Sequence, residues 1–139
     1  MIEKNRAMPR GPVIPELAYA DVNAAADWLC DAFGFTLRFR FGGHRAQLNI
    51  GDGGAMVVTE GGRASAAPDH GVMIRVADVD GHCARAKLRG AAVLSEPQDY
   101  PYGERQYSVA DIGGHRWVFS QSIADFDPAA FGAVIGTLS

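Results

Sequence analysis

The sequence predicts an α+β fold: two paired β-α-β-β-β modules forming a curved mixed sheet shaped as a cup. Three observations carry this reading. Residues 111–120, Asp-Ile-Gly-Gly-His-Arg-Trp-Val-Phe-Ser, combine a tight glycine turn with a run rich in aromatic and β-branched residues, a turn feeding a strand. Gly51-Asp52-Gly53-Gly54 followed by residues 55–59 has the same grammar, its glycine pair 60 positions before the later one. Ala20-Asp21-Val22-Asn23 returns as Ala77-Asp78-Val79-Asp80, 57 positions on. Near-equal offsets across two similar element orders mark an internal duplication, with too few copies for a solenoid.

Taken in order, residues 1–12 read as a flexible tail and 13–19 as a first strand. Asp21 or Asn23 caps a helix that runs over 24–33, with Trp28, Leu29, Ala32 and Phe33 as its core stripe and Gly34 at its C-cap. Residues 35–41 alternate, placing Phe35, Leu37, Phe39 and Phe41 on one face and Thr36, Arg38 and Arg40 on the other. Strands over 44–50 and 55–60 complete module one, 13–60. A small, polar linker occupies 61–70. Module two, 71–121, repeats the order: a strand at 72–76, a helix at 81–89, a strand at 91–94, a loop at 95–104, and strands at 105–110 and 115–121. The tail 122–139 holds a possible short helix starting at Asp127-Pro128, with Phe126, Phe131, Val134 and Ile135 as an apolar face.

The 139 residues suffice for one domain with a real core. A net charge of −3 with scattered basic residues predicts neither a nucleic-acid nor a membrane partner. No apolar run has the length of a membrane span, and the first residues lack the apolar stretch of a signal peptide, so the expected location is cytoplasmic. Cys30 and Cys83 read as buried helix thiols, with no disulfide framework.

The two modules, the Ala-Asp-Val-Asp helix opening, the stretch from Glu96-Pro97 to Tyr102-Gly103-Glu104-Arg105, and the Asp111-x-Gly-Gly-His115-x-Trp117-x-Phe119 turn and strand resemble the vicinal oxygen chelate superfamily, in its glyoxalase/bleomycin-resistance protein/dioxygenase branch. Where that branch typically writes Asp-Pro-x-Gly-His, this chain has Ile112 and Gly113. In the metalloenzymes of the family, each module supplies ligands from its first and last strands. The resemblance places these at Ile14 and Val58 in module one and at Gly71 and Val118 in module two. None of the four carries the N, O or S donor that a transition metal needs. No cofactor is therefore expected, and no catalytic residue is assigned.

If position 118 faces the hollow, alternation along the strands sends Glu16, Gln47, Asn49, Met73, Arg75, Gln106, Ser108, Arg116 and Val118 toward it, with Met56, Val58 and Glu60 from the fourth strand. These are the expected ligand-binding residues. Gln47, Arg75, Ser108 and Arg116 should line one shared hollow. Arg75 and Arg116 either bind an anionic group or pair with Glu16 or Glu60. Tyr100 and Tyr102 either close over a ligand or pack on their own domain. His115 is read as a structural hydrogen-bonder, His44 and His82 as solvent-facing, and Glu60 and His70 as a strand end and a loop residue rather than displaced metal ligands. The implied function is metal-independent binding of a small organic molecule by a homodimer. The alternative is a metal-dependent glyoxalase-like lyase or isomerase, or a ring-cleaving dioxygenase, with an unusual ligand set.

Overall fold

The computed structural model describes residues 3–61, 70–134 and 136. Most of the expected linker, including Arg63, and Ile135 of the expected tail face lie outside the described residues. Module one consists of β1 (Glu16–Tyr19), α1 (Val22–Phe33), β2 (Thr36–Phe41), β3 (Arg45–Ile50) and β4 (Gly54–Glu60). Module two consists of β5 (Val72–Arg75), α2 (Val79–Leu88), β6 (Ala92–Tyr100), β7 (Glu104–Ala110) and β8 (Arg116–Ser122). Each forms a four-stranded mixed sheet, ordered β1-β4-β3-β2 and β5-β8-β7-β6, with the first strand parallel to the last and the others antiparallel. The chain thus has the expected α+β architecture of two β-α-β-β-β units.

Local chemistry explains the helices. Asp21 and Asp78 are the N-caps, their carboxylates accepting from the backbone N–H of Ala24 and Gly81. Gly34 ends α1 in the left-handed conformation at φ 79°, which favours glycine. α1 covers the first sheet, α2 the second, and the two helices touch one another. Their sides meet through Trp28, whose indole N–H donates to Arg89 O, and through Arg85, which donates to Asp31 O at the carbonyl end of α1. Trp28, expected in the core, therefore sits half-buried at this seam.

One apolar cluster serves both modules. Phe33 of α1 meets Trp117 and Phe119 of β8 edge-on, at 5.7 and 5.0 Å between ring centres. His82, expected in solvent, is half-buried in the same cluster, its ring 3.9 Å from that of Phe119 and within hydrogen-bonding distance of Tyr107 Oη and Phe33 O. His44 is exposed, as expected.

Three strands depart from simple alternation. In β2 a bulge lies between Leu37 and Phe39. Beyond it Phe39 and Phe41 share a face with Gln47 and Arg45, while Arg40 turns to α1 and bonds Asn23 and Asp27. In β4 the register sets Val57 opposite Gln47, and Met56 and Val58 opposite Leu48 and Ala46. Met56 and Val58 are accordingly fully buried under the helices, not turned to the hollow. β6 runs on to Tyr100 through residues expected as a loop: pairing steps from Ser95↔Ser108 to Gln98↔Gln106, and the bulge takes up Pro97 on an edge strand, where its missing N–H is not needed. In the tail, Ile123 N–H donates to Gly103 O, and a single 3-10 turn spans Ala129–Phe131 after Pro128. Val134 is exposed.

Candidate functional site

Each sheet has one face under its helix and one face turned away from it. Strand pairing defines the away face of the second sheet: Met73 beside Val118, Arg75 beside Ser120, and Ser108 and Gln106 across from Val118 and Ser120. Arg75 and Arg116 are thus on the side opposite the helices. Gln106 is held by a directed chain of hydrogen bonds. Tyr102 Oη donates to Gln106 Oε1, Gln106 Nε2 donates to Ser120 Oγ, and Ser120 Oγ donates to Glu104 Oε1, at 2.9, 3.0 and 2.7 Å. The hydroxyls of Ser122 and Ser120 hold the Glu104 carboxyl below the usual carboxylate range, and the nearby Arg75 charge adds to this. Arg75 itself donates to Ser122 Oγ at 3.0 Å and pairs with neither Glu16 nor Glu60. Tyr100 and Tyr102 stack on each other at 5.4 Å, with Tyr102 still 41% exposed.

Arg116 differs from Arg75. It is exposed and makes no hydrogen bond or ion pair among the described residues. Its side chain lies across Gly71, so close that a β-carbon there would stand 3.1 Å from the guanidinium. The glycine thereby makes room for the arginine.

The away face of the first sheet carries Glu16, Gln47, Asn49, Val57 and, beyond the β2 bulge, Phe39 and Phe41. Glu16 pairs with Arg45 at 3.3 Å. Asn49 Nδ2 donates weakly to Thr36 Oγ1. Gln47 is only 4% exposed. Arg38 Nη1 donates to Gln47 Oε1 at 2.6 Å, and its guanidinium carbon lies 5.0 Å from the centre of the Phe39 ring. Residues 5–8 of the expected loose tail rest on these side chains. The expected site residues therefore fall on two sheets, Glu16, Gln47 and Asn49 on one and the other six on the second, and no strand pairing joins those sheets.

The equivalence of the modules corrects one of the four positions that the resemblance assigns to metal ligands. Gln47 and Ser108 take the same place opposite Val57 and Val118, an offset of 61. Counting from the glycine pairs slips by one residue, which reverses the facing; the counterpart of Val118 is Val57, not Val58. Ile14 and Val57, with Gly71 and Val118, still offer no side-chain donor atom, and among the described residues no three His, Cys, Asp or Glu side chains converge. The residues present do not fit a transition metal at these positions. Glu60 is an exposed strand end whose strand register sets it with Tyr19.

Sequence reasoning missed Arg38, Phe39, Phe41 and Val57, because a one-residue bulge and a one-residue offset leave no mark in composition. It found His115 correctly as structural: its Nε2 lies 2.8 Å from Ala18 O, bridging the modules.

A family model for the Glyoxalase/Bleomycin resistance protein/Dioxygenase superfamily matches residues 13–119. Among solved structures, TioX from Micromonospora sp. ML1 is 36% identical with a TM-score of 0.68, the match covering 91% of this chain and all of that one. A glyoxalase/bleomycin resistance protein from Streptomyces sp. CB03234 is 26% identical with a TM-score of 0.61, over 78% of this chain and 97% of that one. The fosfomycin resistance protein FosX from Listeria monocytogenes, in its complex with Mn(II) and sulfate, shares the fold at 17% identity and a TM-score of 0.69, over 83% of this chain and 92% of that one. No curated protein matches the chain. Among the described residues no helix is long and apolar enough to cross a membrane.

Proposed function

The chain belongs to the Glyoxalase/Bleomycin resistance protein/Dioxygenase superfamily, and from that premise we propose that it binds a small organic molecule with an acidic or hydrogen-bond-accepting group, without a metal ion. One observation carries the reading. In module two the first-strand position is a bare glycine, and the Arg116 guanidinium lies across it. A permanently charged cation thus stands next to the place where the family's metalloenzymes hold a metal cation. A guanidinium offers an anion a planar fork of donors but no vacant coordination position, so it favours binding over Lewis-acid chemistry. Arg75, Gln106 and Ser108 share that face.

The first sheet contributes Phe39 and Phe41, flat apolar surface that suits a planar aromatic body. A homodimer would bring the first-sheet face of one chain against the second-sheet face of its partner and complete a cleft of mixed lining. The exposed Phe41 and Met73 support this, since such residues on open sheet faces favour burial.

The test is calorimetric titration of 1-naphthoate, an aromatic anion, into wild type, Arg116→Ala and Lys87→Ala. Lys87 pairs with Glu96 on the helix side. Arg116→Ala should weaken binding by about 1.5–3 kcal/mol, the range for a lost charge-assisted bond, with Lys87→Ala unchanged. Equal binding by all three proteins would overturn the reading.

A further inference from the structure

Residues 5–8 form a compact turn over the first sheet. Ala7 N–H donates to Asn5 Oδ1 at 2.9 Å and Met8 N–H to Asn5 O at 3.1 Å, which turns three successive carbonyls toward the sheet. Those carbonyls accept three hydrogen bonds from two nitrogens. Arg38 Nη2 donates to Arg6 O at 2.7 Å and to Met8 O at 3.3 Å, and Gln47 Nε2 donates to Ala7 O at 2.9 Å. Arg38 and Gln47 are tied to each other at 2.6 Å, so the two side chains form one prearranged set of donors. The segment also walls a cavity of about 870 Å³ with Ile14 and Arg38, whose other charged lining residues are Glu3, Lys4, Arg6 and Arg10.

This contact does no core work. The first buried core residue is Leu17, and the segment supplies none of the cluster. Its bonds to the sheet are polar: backbone oxygens on a guanidinium and an amide. A ligand carrying carbonyl or carboxylate oxygens at similar spacing would meet the same donors. We propose that residues 5–8 are a built-in competitor on the first-sheet face, and that ligands bearing amide, ester or carboxylate carbonyls enter it by displacing them. The proposal deepens the binding function above by naming the ligand chemistry that Arg38 and Gln47 read. Because the competitor is tethered, its effective concentration is in the millimolar range. Ligands with several acceptors are thus favoured on this face over ligands with one.

The test uses the full chain and needs no natural ligand. A nitroxide attached at Met8→Cys, in a Cys30→Ser background, should broaden the backbone amide signals of Gln47 and Val57 in NMR spectra. The synthetic peptide of residues 3–12, in excess over the tethered segment, should relieve that broadening at least twofold. So should Asn5→Ala, which removes the turn-forming side chain without touching the sheet. Absence of broadening in the full chain would overturn the proposal, since the segment would not occupy the face. Broadening unmoved by both peptide and Asn5→Ala would also overturn it, since the segment would be a fixed wall. Relief by the peptide with no Arg116-dependent binding of 1-naphthoate would uphold the competitor while removing the small-molecule reading; the reverse pattern would do the opposite.

Discussion

Tyr19 donates its hydroxyl to the buried carboxylate of Asp111 at 2.5 Å, across 92 positions of chain, and so fastens the first strand of module one to the turn before the last strand of module two. The same carboxylate accepts from Trp117 Nε1 and from the backbone N–H of Gly113 and His115. Burial, reinforced by the Asp111 charge, raises the Tyr19 hydroxyl far above its ordinary pKa. Asp111→Ala would strand two buried side-chain donors at about 1–3 kcal/mol each. It should lower the urea midpoint much more than Tyr19→Phe, which leaves Asp111 its other donors. Gly113→Ala should also destabilise, by about 1–3 kcal/mol, because a β-carbon there would lie 2.6 Å from the Tyr19 ring.

A second prediction concerns pH. Burial, with a smaller push from Arg85, holds His82 below its ordinary value of 6.5, against the opposing bond to Phe33 O. The unfolded chain therefore takes up this proton more readily than the fold. Stability from this group is fully present above the unfolded value of about 6.5 and is lost as pH falls toward the folded value, levelling below it. Urea unfolding of wild type should show a falling midpoint between pH 7.5 and 5.5. His82→Gln should start lower at pH 7.5, by about 1 kcal/mol, and fall less. An equal fall in both proteins would show that His82 is not the group.

A third prediction is assembly. The away faces leave Phe41 54% and Met73 60% exposed. Sedimentation at micromolar concentration should show a species near twice 14.8 kDa. Phe41→Glu should shift it toward the monomer by placing an unpaired charge in the interface. A species near 14.8 kDa at all such concentrations would contradict this.

The fold was legible because duplication leaves two kinds of mark, caps and turns, that are local in sequence. Asp21 and Asp78 cap the helices from equivalent places, and the glycine turns precede both final strands. The placement of Glu16, Gln47, Arg75, Ser108 and Arg116 away from the helices followed from alternation alone. The facing of Phe39, Phe41 and Val57 did not, because a bulge in β2 and one residue of turn length shift the parity. Nor did the seat of residues 5–8: bonds from Arg38 and Gln47 to backbone carbonyls do not depend on which side chains the tail carries. His82 was misjudged because a polar residue near a helix start reads as solvated, whereas here Phe33 O and Tyr107 satisfy both ring nitrogens.

The most direct test of the central claim is the affinity for 1-naphthoate before and after treatment with EDTA, with mass spectrometry confirming that the treated protein is free of transition metals. Binding through Arg116 beside Gly71 predicts the same affinity in both samples, and no gain when Zn(II), Mn(II), Fe(II) or Ni(II) is added back. Affinity that vanishes with the metal and returns with it would contradict the account.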